Sequence, residues 1–229
     1  MTAALTLDGL GRAYGRVAAV DGVCLQLARG ERHALIGHNG AGKSTLLALV
    51  AGTVRPSTGR ILLGARDVTR TRPHRRAVLG LGRTFQQPAV FATLTVQDNV
   101  RLAAWRHGAR RSPAYLEALG LGAHAQKAAG ALSHGQRRLL EIAMVLSGRP
   151  SVLLLDEPAA GLGDDDLTLL LGALRRLPDD MAVLLVEHNQ DLVQEYAEVI
   201  TVLHHGRVLA SGSPARIAAD PAVAEVYLG

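Results

Sequence analysis

The chain has 229 residues, 48% hydrophobic and 20% charged, which suits one large soluble domain or two small ones and needs no disulfide or metal staple. Its one cysteine, Cys24, excludes an internal disulfide and fits a reducing compartment. The net charge of +5 comes almost wholly from arginine, and aromatics at 3% are too few for base stacking, so the charge is read as an Arg-rich surface with no nucleic acid partner expected.

Met1–Gly9 has neither a basic start nor a long apolar run, so no secretory signal is expected there. Short strands are expected at Leu5–Leu7, Val23–Leu27 and Arg60–Leu63; tight turns such as Ala28-Arg29-Gly30-Glu31 suggest an antiparallel sheet. His33–Ile36 is an apolar strand that runs straight into a Gly-rich loop, and Leu46–Ala51 reads as a buried helix closed by Gly52. The run Arg70–Arg76 holds Pro73 and is expected to be a solvated turn. From about residue 88 to residue 150 the pattern turns helical, with helix starts at Thr95/Asp98 and Ser133/Gln136 and breakers at Gly108, Ser112-Pro113 and Gly120–Gly122. This stretch is read as a helical subdomain inserted into an α/β core, the whole spanning residues 1–229. Val152–Leu155 and Met181–Val186 return to short apolar strands of the kind that fill a parallel sheet. His204-His205-Gly206 is a hairpin turn, and Ser213-Pro214 and Asp220-Pro221 place a capping residue before proline at helix starts. None of these apolar runs approaches the roughly 18 residues a membrane span needs, so a membrane link is expected only through a partner.

Three motifs carry chemistry. Gly37-His38-Asn39-Gly40-Ala41-Gly42-Lys43-Ser44 fits G-x-x-x-x-G-K-[ST]. Glycines let backbone N–H groups converge on a polyphosphate, and the helix that follows adds its positive end. Lys43 brings a charge to the β and γ phosphates, and Ser44 offers a hydroxyl to Mg²⁺. Val152–Leu155 followed by Asp156-Glu157 is an apolar strand ending in carboxylates, the Walker B pattern. Asp156 is placed to hold Mg²⁺, and Glu157 to polarise a water for attack on the γ-phosphate. Leu132-Ser133-His134-Gly135-Gln136 is, as structure alone, a capped helix start.

The order decides: phosphate loop, Gln86 after Phe85, L-S-x-G-Q, Walker B, then His188 after a strand. In that order the motifs resemble the ABC ATPase family, and the resemblance runs over essentially the whole chain. It implies a RecA-like P-loop NTPase core with an N-terminal antiparallel β part, ATP and Mg²⁺ as ligands, and ATP hydrolysis coupled to transport. It also implies roles. Gly37 to Thr45 (His38, Asn39, Gly40, Ala41 and Gly42 among them) form the phosphate loop, and Tyr14 stacks on adenine. Gln86, or the adjacent Gln87, reaches Mg²⁺ and the attacking water. Ser133, Gly135 and Gln136 contact the γ-phosphate held by a second ATPase subunit, identical or homologous, and His188 is the switch histidine that touches a γ-phosphate. Two residues depart from the pattern: His134 stands where Gly is usual, and Gly163 where the D-loop normally ends in Asp, with Asp164 one step later.

Gly82-Arg83-Thr84-Phe85-Gln86-Gln87-Pro88, the L-S-H-G-Q variant and the C-terminal stretch Pro214–Gly229 are similar to the branch that imports branched-chain amino acids, urea or short amides. That implies two transmembrane permeases as partners, indirectly a periplasmic binding protein, and a place on the cytoplasmic face of the membrane. A non-transport ABC ATPase and the ATPase of a lipid or lipopolysaccharide exporter remain alternatives at this stage.

Overall fold

Alternating burial along Ala3–Tyr14 makes β1, which pairs antiparallel with β2 (Val17–Ala28) across the Gly15 turn. The chain then enters β3 (Arg32–Ile36) and α1 (Lys43–Ala51) before returning to the first sheet as β4 (Thr58–Leu63) and β5 (Arg66–Asp67). The first sheet has the order β2-β1-β4-β5, all antiparallel, as the short turns suggested. In this computed structural model residues 3–105 and 113–228 are described; Gly108, Ser112 and Gly229, which the sequence singled out, lie outside them.

The run 70–76 is not a solvated turn. Pro73–Val78 forms α2, with proline in the first turn where its missing N–H costs nothing. Arg70, Arg72 and Arg75 are exposed, but Arg76 is buried. Its guanidinium donates to the carbonyls of Leu49 (2.8 Å), Val50 (2.6 Å), Thr71 (3.0 Å) and Thr69 (3.1 Å). Two of those oxygens belong to the last turn of α1; the Leu49 carbonyl also accepts from the capping Gly52 N–H at 3.1 Å. Burial pushes the Arg76 pKa down to about 10, which leaves it charged at neutral pH.

The second sheet is built from β3, β6 (Leu81–Arg83), β7 (Val152–Asp156), β8 (Ala182–Val186), β9 (Val199–His204) and β10 (Arg207–Gly212). Its order is β10-β9-β3-β8-β7-β6, parallel except for the β9–β10 hairpin. Strands β7 and β8 are buried along their whole length, because both faces of the sheet are covered. Leu154, Leu184 and Val186 pack with α1 and the first sheet; Leu153, Leu155, Val183 and Leu185 face the helices on the other side.

Those helices are α3 (Val96–Trp105), α4 (Pro113–Ala118), α5 (His134–Ser147) and α6 (Asp164–Arg175), followed by α7 (Gln190–Tyr196) after β8. Thr95 opens α3 by accepting from Asp98 N at 3.0 Å while its hydroxyl donates to the Asp98 carboxylate at 2.8 Å. Two short helices, α8 (Pro214–Ala218) and α9 (Pro221–Leu228), close the chain at the two Pro-marked starts. Among the described residues no helix is long and apolar enough to cross a membrane.

Candidate nucleotide-binding site

Strands β3, β8 and β7 are neighbours and parallel, so their C-terminal ends open on one edge. Ligands of open α/β sheets bind at that edge. The loop after β3, the residues after β7 and the residues after β8 are the three segments the sequence singled out.

After β3 the chain makes a glycine-rich turn into α1. Gly42, the residue before the helix, has φ +105°, and a Cβ there would stand 2.3 Å from the Ala19 carbonyl, so only glycine fits. Helix α1 has no side-chain cap and no acidic residue in its first turn. Among the described residues the N–H groups of Lys43, Ser44 and Thr45 have no backbone partner. An uncapped helix start beneath a glycine turn suits an anion. Lys43 is buried and its ammonium donates to the carbonyls of Gly37 (2.6 Å) and His38 (3.1 Å). Desolvation lowers its pKa, against the pull of the Glu157 and Asp156 carboxylates, which raise it. His38 Nε2 donates to the Val226 carbonyl of α9, so the phosphate loop touches the C-terminal helix.

Asp156 ends β7 and is 1% exposed. Its Oδ2 lies 3.4 Å from the Arg83 guanidinium, while its buried Oδ1 has no partner among the described residues. Burial raises the Asp156 pKa, with Arg83 opposing. A desolvated carboxylate oxygen left unpaired beside a phosphate loop fits a hard cation such as Mg²⁺, which takes oxygen ligands. Glu157 follows in the left-handed region at φ +47°, a conformation rare for a residue with a side chain. Its Oε1 is 3.4 Å from His188 Nε2 after β8. Lys43, Asp156, Glu157 and His188 therefore converge on one edge of the sheet.

Two further predicted segments lie on the helical side. Gln86 is exposed, and its backbone carbonyl accepts from the buried Arg138 of α5, as does that of Phe85. Arg138 also pairs with Glu141 at 2.9 Å, and Glu141 accepts from Phe85 N (3.0 Å) and Ala89 N (3.3 Å). Burial raises the Glu141 pKa; the two N–H groups and Arg138 oppose it. Ser133 and Gln136 form the expected capping box, both bonds at 3.1 Å, and Gln136 Nε2 lies 3.2 Å from His124 Nε2. Gly135 is closely approached: a Cβ there would stand 2.0 Å from the Asp166 carboxylate. The ring of His134 packs beside Gly161, and Gly163 caps α6 without a side-chain bond, leaving Asp164, Asp165 and Asp166 in its first turn. Tyr14 is 47% exposed with the Arg12 guanidinium 4.7 Å from its ring centre, so one face is covered.

Sequence reasoning missed Arg83, Arg138, Glu141 and Glu187. Arg83 sits inside a stretch read for its glutamines. Arg138 and Glu141 are an i, i+3 pair that looks solvated until α5 is known to bury that face. Glu187 directly precedes His188, and a carboxylate at the end of a wholly apolar strand was the available signal.

Residues 20–160 match the family model described as ABC transporter. Residues 207–229 match one described as branched-chain amino acid ATP-binding cassette transporter. The chain is 36% identical to the high-affinity branched-chain amino acid transport ATP-binding protein BraF of Pseudomonas aeruginosa, over 98% of this chain and 97% of that one. It is 38% identical to the lipopolysaccharide export system ATP-binding protein LptB of Acidithiobacillus ferridurans, over 100% and 98%. The fold is similar to the ADP conformation of MJ1267, an ATP-binding cassette of an ABC transporter, with TM-score 0.89, 27% identity and all of both chains covered. With these matches running along the whole chain, it belongs to the ABC transporter family, as an ATP-hydrolysing cassette.

Proposed function

We propose that this cassette powers import of branched-chain amino acids or related small amides or urea. It would do so through two transmembrane permeases at the cytoplasmic face of the membrane, with a periplasmic binding protein delivering the substrate. The observation that carries the reading is the match of residues 207–229 to the branched-chain amino acid description, supported by the likeness to BraF.

At the site, the uncapped start of α1 and Lys43 bind the phosphates, with Gly37, His38, Asn39, Gly40, Ala41, Gly42, Ser44 and Thr45 around them, and Tyr14 stacks on adenine. The unpaired Asp156 Oδ1, the Ser44 hydroxyl and the Gln86 side chain are the groups that would hold Mg²⁺, which would supply positive charge against the phosphates. Glu157 takes the proton of the attacking water, and His188, 3.4 Å away, steadies Glu157 and the γ-phosphate. Ser133, Gly135 and Gln136 act on the nucleotide of a second ATPase subunit, so each pair of subunits forms two sites.

Residues 88–150 act as a helical subdomain that carries the signature motif. The permeases dock at its junction with the core. There a cavity of about 280 Å³ is lined by Gly82, Arg83, Phe85, Glu141, Met144 and Val145. Phe91 and Trp105, 52% and 79% exposed, add apolar surface on the helical stretch. A second reading, the ATPase of a lipopolysaccharide exporter, is favoured by the 38% identity to LptB.

Co-purification of the tagged chain from native membranes separates the two. Two permeases and an amino acid binding protein support the import reading; exporter subunits without a binding protein replace it with the second. For the site, Glu157→Gln is expected to keep ATP binding and lose about a hundredfold or more in turnover. Near-normal hydrolysis in that variant removes Glu157 from its role.

A further inference from the structure

The mechanism above leaves one buried carboxylate of the sheet edge unused. Glu187, at the end of β8, is 3% exposed and makes no ion pair among the described residues. Its two oxygens are instead taken by backbone N–H groups from two different segments. Oε1 accepts from Ala159 N at 2.7 Å; Oε2 accepts from His188 N at 2.8 Å and Asn189 N at 3.1 Å. Ala159 lies two residues after Glu157, and His188 is the other member of the Glu157–His188 contact.

The backbone around Glu157 needs such a clamp. Glu157 sits at φ +47°, which a side-chain-bearing residue holds only when its surroundings fix it. One further bond from each side, Glu157 N to the Val186 carbonyl (2.9 Å) and Ala160 N to the Glu157 carbonyl (3.1 Å), completes the turn. A hydrogen bond to a charged acceptor is shorter and stronger than one to a neutral acceptor, and two of these three lie at 2.7–2.8 Å.

We propose that Glu187 is a positioning residue for hydrolysis: one carboxylate ties the turn after Glu157 to the turn that carries His188, and so sets the 3.4 Å separation of the two reacting side chains. The inference rests on the reading of Glu157 and His188 given above. Because Glu187 bonds both turns through their backbone and has no role at the nucleotide in this reading, it governs the rate of the step and not nucleotide affinity.

Glu187→Gln tests this without changing side-chain volume. An amide has one acceptor oxygen, so whichever way it turns, its NH₂ faces a backbone N–H and one turn is released. In the transporter complex, steady-state ATP hydrolysis is expected to fall about tenfold or more, since small misplacements of reacting groups cost that much. The Kd for ATP, read with a fluorescent ATP analogue, is expected to change less than about twofold, a split that marks a step-specific loss. Glu187→Asp keeps both acceptors and is expected to recover part of the rate; it carries the test if the Gln variant does not fold. In a Glu157→Gln background, Glu187→Gln is expected to cost little more, because both act on the same step. Wild-type turnover in Glu187→Gln, Asp no better than Gln, or a loss of ATP affinity that tracks the loss of rate would each overturn the proposal. If Glu157→Gln and His188→Ala themselves hydrolyse ATP normally, the underlying reading of the site fails instead, and the two failures are told apart.

Discussion

Helices α1 and α5 both begin at a sequence signature, and their first turns are built in opposite ways. Helix α1 starts behind Gly42 with no side-chain cap and no acidic residue, and its first N–H groups are left without backbone partners among the described residues. Helix α5 starts with Ser133 and Gln136 bonded to each other's backbone, which answers the Gln136 N–H, while those of His134 and Gly135 have no backbone partner among the described residues. Helix α6 is a third case, with three aspartates crowding its start. A helix N-terminus attracts anions through the N–H groups that its own chain leaves unanswered. Helix α1 is uncapped and has Lys43, Asp156, Glu157 and His188 around it; α5 is capped at one N–H, and under the proposed pairing its remaining N–H groups meet phosphate only when a second subunit brings one.

This contrast can be broken at either helix. Lys43→Ala removes the one ammonium at the open end, and hydrolysis is expected to drop about a thousandfold with a parallel loss of ATP binding in a nucleotide titration. Arg138→Met tests what holds α5 against the Gln86 segment. It leaves Glu141 buried without its partner, a loss of about 3 kcal/mol in a denaturant titration at pH 7. The sign with pH follows from Glu141, whose folded pKa is raised: its contribution is fully present below the ordinary carboxylate value and is lost as pH rises through the raised one. The variant raises that pKa further, so its deficit is expected to shrink as pH falls toward 5; a deficit that grows on acidification contradicts the pairing.

Ser133→Asp sharpens the contrast most. Aspartate caps a helix as well as serine does, so thermal stability is expected to stay within a few degrees. The new charge stands where the proposed second subunit's γ-phosphate would come, and hydrolysis is expected to fall about thirtyfold with ATP binding by the single subunit unchanged. The smallest effect is expected from Arg12→Ala, which uncovers one face of Tyr14 and raises KM for ATP about twofold.

The α/β sheet and the glycine-rich turn into α1 were legible in the sequence because both are local. A run such as Val152–Leu155 is buried on both faces wherever it sits, and the glycines of the loop are forced by backbone geometry. The capping box at Ser133 was equally local. The segment 70–76 was misread because its charge count suggested solvent. Only the fold puts Arg76 under the end of α1, where its guanidinium donates to the carbonyls of Leu49 and Val50. Glu187, Arg83 and the Arg138–Glu141 pair escaped for the same reason: each acts on backbone or carboxylate groups far away in the chain, and no spacing in the sequence announces that.

Under the proposed pairing, the uncapped helix start of one subunit is completed by the signature helix of another. Mixing Lys43→Ala and Ser133→Asp subunits tests it most directly. Each mixed pair then contains one site made of an intact phosphate loop and an intact signature motif from different chains. ATP hydrolysis is expected to be nearly absent in either variant alone and to reappear on mixing. A mixture as inactive as its parts, or a Ser133→Asp subunit that hydrolyses ATP at the unmodified rate, would contradict it.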